Sequence, residues 1–178
     1  MKSLAVLCFA AALLVPGLQD PKPPAPSAPP PIANPQIDYP GFLEIANKAE
    51  NVRAARRLGE PEFAAAMREP GTVLLDARSA DKYGLRHIAG AVSLPFTDFT
   101  AASLAKAIPS KATRVLIYCN NNFAGDQRAF ESKAPAASLN ISTYIALATY
   151  GYANVWELAP NLDVKASKLE WAGTAVGR

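Results

Sequence analysis

This 178-residue chain is poor in the residues that build metal sites and crosslinks: it has two cysteines and one histidine. One Cys and one His in the body of the chain fall short of any common zinc set, and a lone internal thiol cannot form an intramolecular disulfide. Runs of like charge are missing as well. Eighteen basic and fifteen acidic residues are dispersed to a formal charge of +3, with no stripe to neutralise a row of phosphates and no acidic tail. That composition excludes a nucleic-acid partner. No apolar run reaches the roughly 20 residues that a membrane-spanning helix needs. Half of the residues are apolar, enough for one ordinary core at this length but not two.

What is present begins with Met1-Lys2 and an unbroken apolar stretch from Leu4 to Val15, followed by Pro16-Gly17. Residues 1–17 read as an export signal, which directs the chain to a periplasm or the outside; left uncut, it would act as a membrane tether. Nine of the sixteen prolines lie between Pro21 and Pro40, so residues 18–40 read as an extended linker with no core of its own. Residues 41–178 form the domain, with its core at about 52–171. Cys8 leaves with a cleaved signal. The mature protein then carries a single thiol, Cys119, in a setting where paired cysteines usually become disulfides, and no span remains to cross a membrane.

Within the domain, strands alternate with helices. "AARRL" reads as a weak strand, and "GEPEFAAAMREP" as a helix with Pro61 near its start, Phe63, Ala66 and Met67 on one face, and Pro70 as its stop. "TVLLDA", "AVSLP", "RVLIYC" and "NVWEL" are short apolar runs with the look of strands buried on both faces. Thr100 caps a helix carrying Leu104 and Ile108, and "SLNISTYIALATYGY" sets Leu139, Ile141, Tyr144, Ile145 and Ala148 at helical spacing before Gly151. The expectation is α/β: one domain, a central, mostly parallel sheet of about five strands, and helices on both faces. Ligands of such sheets sit at the carboxyl ends of the strands, where Cys119 falls.

Three separated motifs carry a resemblance. "VLLDARSADKYGLRHIAGAVSLPFTDF" is similar to the opening half of a rhodanese domain, "RVLIYC" to that family's strand into its catalytic cysteine, and "YGYANVWEL" to its next helix end and strand. The resemblance implies a sulfurtransferase or sulfur carrier with no cofactor. Cys119 would be the catalytic residue, taking sulfur from a small sulfur-containing anion or a protein persulfide and holding it as its own persulfide. Backbone N–H groups around the sulfur would favour the thiolate. Asp76 and Arg78 then read as a structural pair at a strand end, and His87 as structural and not as the base of a Cys–His dyad. Trp156 and Trp171 read as core or edge aromatics.

The sequence departs from the family just after the cysteine. Active members have a compact loop with arginines; here Asn120, Asn121, Asn122 and Phe123 follow, no Arg appears before Arg128, and the next helix waits until about Ser138. That is an insertion of roughly a dozen residues, long by the statistics of ordinary connections. Asn tolerates left-handed backbone, so the triplet is expected to turn several amides inward as a cradle. Phe123 and Phe130 are expected to close over the pocket as an apolar lid. Asn120, Asn121, Asn122, Phe123, Ala124, Gly125 and Arg128 are therefore the candidate substrate-binding residues, with Lys133 a second loop cation. Two other classes stay open: a catalytically silent module that binds a protein partner through the long loop, and a cysteine-dependent phosphatase or arsenate-reductase-like enzyme. The last needs an arginine clamp for an oxyanion, and none stands at the expected spacing.

Overall fold

The computed structural model describes residues 34–177, so the expected signal, Cys8 and most of the linker lie outside the described residues. Gln36–Arg178 forms one compact unit. It opens with a helix that the sequence pattern does not announce, α1 (Tyr39–Ala54), whose first two residues fall within the expected linker. Asp38 caps it, accepting from Gly41 N–H at 2.9 Å, and Pro40 sits in the first turn, where its missing N–H is harmless.

The chain then runs β1 (Arg57–Leu58), α2 (Glu60–Met67), β2 (Thr72–Asp76), α3 (Ala80–Leu85), β3 (His87–Ile88) and β4 (Val92–Ser93). After these come α4 (Ala101–Ala107), β5 (Arg114–Tyr118), β6 (Phe123–Ala124), α5 (Leu139–Thr149), β7 (Val155–Leu158), β8 (Leu162–Asp163) and β9 (Trp171–Ala172). The first strand is shorter than "AARRL" suggested, because Ala54 ends α1.

The central sheet has the order β1-β7-β5-β2-β4, and every pairing in it is parallel. β5 is the middle strand. Its Val115 and Ile117 pack on one face with Leu104 of α4, Tyr144 and Leu147 of α5 and Ala49 of α1. Its Leu116 and Tyr118 pack on the other with Phe63 and Ala66 of α2. This period-two division puts helices on both faces and explains why the strands read as continuous apolar runs. In α5 the buried positions are Asn140, Thr143, Tyr144 and Leu147, so of the expected face only Tyr144 is buried: Leu139, Ile141, Ile145 and Ala148 are half-buried, and two polar side chains share the buried face with Tyr144 and Leu147. Among the described residues no helix is long and apolar enough to cross a membrane.

Candidate active site

At the carboxyl end of β2, Asp76 and Arg78 form a fully buried pair. Arg78 Nη2 lies 2.5 Å from Asp76 Oδ2 and its Nε 2.9 Å from Oδ1. Tyr118, opposite Asp76 in β5, donates its hydroxyl to the same carboxylate at 2.6 Å and accepts Ile88 N–H at 3.1 Å. Burial works against the Arg78 charge, but the hydrogen bonds and charge of Asp76 outweigh it and hold the guanidinium above its ordinary pKa. Burial, and then the Asp76 charge, push the Tyr118 phenol well above its usual value, so it stays a neutral donor. Arg78 Nη1 and Nη2 also reach the carbonyls of Ala129 and Arg86. The pair thus ties the strand end to the insertion.

Cys119 follows Tyr118 directly and is 1% exposed. The backbone N–H of Asn122 donates to the Cys119 carbonyl at 3.2 Å, and Cys119 Sγ lies 3.5 Å from Ser138 Oγ at the start of α5. Residues Asn120–Asn122 form one 3-10 turn. No described residue other than glycine has positive φ, so the triplet does not use the left-handed backbone expected of it. Its side chains do three separate jobs instead. Asn120 lines a cleft. Asn121 exchanges two hydrogen bonds with the backbone of Lys133, at 2.8 and 3.1 Å, closing the far end of the insertion. Asn122 is saturated: Oδ1 accepts Cys119 N–H at 2.8 Å and Asn140 Nδ2 at 3.1 Å, while Nδ2 donates to the carbonyls of Leu158 and Pro160. Among the described residues the sulfur's polar neighbour is the Ser138 hydroxyl.

The aromatic lid is a correction. Phe123 and Phe130 are each 1% exposed, with ring centroids 4.7 Å apart, and Trp171 stands edge-on to Phe123 at 4.9 Å. Tyr118 and the Arg78 guanidinium close the group, the latter 4.4 Å from the Phe130 ring. The insertion's aromatics belong to the main core on the α2 side of the sheet, with Phe63, Ala66 and Leu116, and are no cover over the pocket. β6 within it pairs with β8, and Gly125 next to it has φ +85°, a backbone state that favours glycine.

A cleft of about 500 Å³ opens at the carboxyl ends of β2, β4 and β5, walled by Asn120, Lys133, Leu139, Lys82, Phe96 and Asp98 among others. Of the loop candidates it gathers Asn120 and Lys133, and Arg78 of the structural pair also lines it. Phe123 is in the core, Ala124 in β6, and Gly125 and Arg128 line a separate cleft with Arg86, Asp126 and Lys165. Arg128 is thus not brought to Cys119. His87 is occupied elsewhere: it stacks on Tyr83 at 3.7 Å, and its Nδ1 donates to the Tyr83 carbonyl at 2.8 Å. Ser138, Lys82, Phe96 and Asp98 escaped the sequence reading. Ser138 alone left a trace, as the serine just ahead of a helical pattern.

The profile of the rhodanese-like domain matches residues 60–159, more than half of the chain. The chain belongs to the rhodanese-like family. Among solved structures it is similar to the rhodanese-like domain of an Anabaena protein, at 21% identity over 69% of this chain and 83% of that one, with a TM-score of 0.48. It is also similar to an E. coli rhodanese solved with anions (22%; 58% and 99% of the two chains; TM-score 0.39). A Pseudomonas aeruginosa thiosulfate sulfurtransferase matches at 21% identity over 67% of this chain and 21% of that one, with a TM-score of 0.41. No curated protein matches.

The insertion of this rhodanese-like domain has a second latch, from Arg86 Nε to Asp126 Oδ2 at 2.8 Å, with Ala129 N–H on the other carboxylate oxygen. Burial raises the pKa of Asp126, but these bonds and the Arg86 charge bring it below its ordinary value. The unfolded carboxyl therefore keeps its proton to higher pH, and the latch stabilises the domain above that unfolded value, about 3.9, and is lost as pH falls through the lower folded one. Asp126→Asn is expected to lower Tm at pH 7 and to converge with wild type towards pH 3. A gap that stays constant across that range would show no such linkage.

Proposed function

We propose that this chain is a sulfurtransferase or sulfur carrier that holds a persulfide on Cys119. The observation that carries the reading is the place of the thiol: it directly follows the middle strand of a rhodanese-like sheet, lies against the Ser138 hydroxyl, and is the residue next to the cleft wall. In the forward step the Cys119 thiolate attacks the outer sulfur of the donor. The donor's S–S bond breaks, and its electron pair leaves on the inner sulfur, as sulfite from thiosulfate or as a thiolate from a persulfide. A thiophile then attacks the transferred sulfur and Cys119 leaves as thiolate, which makes the kinetics ping-pong. The apolar stretch within residues 1–17, read as an export signal, supports a site of action outside the cytoplasm.

A second reading, a silent module that binds a protein partner, is favoured by one specific fact: Cys119 is 1% exposed and is not itself on the cleft wall. The phosphatase-like reading has nothing comparable, because Arg78, which lines the cleft, already spends Nε, Nη1 and Nη2 on Asp76 and two carbonyls. Intact mass separates the first two. After incubation with thiosulfate or a persulfide donor, wild type should gain one sulfur and Cys119→Ser none. Wild type left unmodified by both donors would identify the module.

A further inference from the structure

We infer that the cleft beside Cys119 recognises a zwitterionic persulfide, an α-amino acid or short peptide bearing –S–SH, in preference to a dianion such as thiosulfate. The inference rests on the sulfurtransferase reading and concerns the donor.

Charge balance carries it. With Arg78 neutralised by Asp76, the cleft is lined by two cations, Lys82 and Lys133, and two carboxylates, Asp98 and Glu131. A dianion meets no net positive field there. Lys82 is already engaged, donating to the Arg128 carbonyl at 2.8 Å and lying 3.5 Å from Glu131. One charge of each sign is left over. The Lys133 ammonium has no hydrogen-bond or ion-pair partner among the described residues, and the Asp98 carboxylate accepts only from the neighbouring Thr97 hydroxyl, at 3.3 Å. A dianion near both is attracted by one and repelled by the other, whereas an ammonium and a carboxylate on one ligand satisfy both.

The two anchors are also held at the backbone. The Lys133 backbone is fixed by two hydrogen bonds with the Asn121 side chain, and the Asp98 carbonyl accepts Ser103 Oγ at 2.7 Å. Less ordering is then needed when a ligand binds. Phe96 and Leu139, on the same cleft, offer apolar surface to the donor's methylene or peptide body. In the transfer, the Cys119 thiolate attacks the terminal sulfur of R–S–SH. The donor's S–S bond breaks, its electron pair leaves as R–S⁻, and the proton stays with the transferred sulfur, so no oxidant enters.

The test loads the full, reduced chain carrying Cys8→Ser, so that Cys119 is its one thiol, and follows the added sulfur by intact mass with cysteine persulfide, with the persulfide of 3-mercaptopropionate, which lacks the ammonium, and with thiosulfate. The cysteine-to-mercaptopropionate rate ratio should fall roughly three- to fivefold in Asp98→Asn, and loading by cysteine persulfide should slow by a similar factor in Lys133→Met, as for exposed charge pairs. An unchanged ratio in Asp98→Asn, or thiosulfate loading wild type as fast as cysteine persulfide, overturns the inference. A binding arm keeps recognition separate from transfer: NMR titration with inert S-methylcysteine and S-methylglutathione, which also tells a free amino acid from a peptide. Saturable shifts at the cleft that weaken in both variants support recognition even if no donor loads Cys119, in which case the sulfurtransferase reading alone fails. Absence of shifts with both probes overturns the inference.

Discussion

Asp76→Ala is expected to destabilise the domain by about 3–5 kcal/mol in equilibrium unfolding by urea, the range for removing one partner of a buried ion pair. The large value follows from what remains. Arg78 is 2% exposed, and without Asp76 its guanidinium keeps two carbonyl contacts but no counter-charge. Tyr118 loses the acceptor for its buried hydroxyl at the same time. Asp76→Asn keeps the shape and an acceptor oxygen but not the charge, so it should fall between wild type and Asp76→Ala. The damage extends to the site, since Arg78 holds Ala129 of the insertion and Asp76 lies opposite the residue that precedes Cys119. A loss below about 1 kcal/mol for Asp76→Ala would mean that the pair orders the strand end without supporting the fold.

That pair could be read in the sequence because both partners lie two residues apart at the end of an apolar run, and the middle strands because burial on both faces leaves a continuous apolar signature. α1 gave no such signal: Ala49 is its one buried residue, and its first turn contains a proline that ends a proline-rich stretch. The insertion was recognised as long but its packing was not legible. Phe123 finds Trp171 and Asn122 finds Leu158 and Pro160 across distances in sequence that no local pattern spans. The cleft shares this difficulty, because Lys82, Asp98 and Lys133 come from three different connections and meet only when the parallel strands align. The expected left-handed turn at the asparagines was a fair reading of local propensity, displaced by side-chain bonds to distant carbonyls.

Phe123→Ala separates a packed insertion from a gating flap. The ring is fully buried against Tyr118, Phe130 and Trp171, so truncation should cost about 3–5 kcal/mol, as for other core phenylalanines, and should leave a cavity between β5 and β9. A flap over the thiol would lose little stability. Alkylation of Cys119 supplies the second axis. At 1% exposure the native thiol meets a bulky alkylating reagent only through opening, so the alkylation rate tracks the population of open states. If the insertion is part of the core, Phe123→Ala should raise the alkylation rate in proportion to the loss of stability, and both should return towards wild type in Phe123→Leu, which refills most of the volume. A faster reaction at unchanged stability would restore the gate, and an unchanged reaction with a large loss of stability would show that the thiol opens locally, through the Asn120–Asn122 turn, without release of the aromatic core.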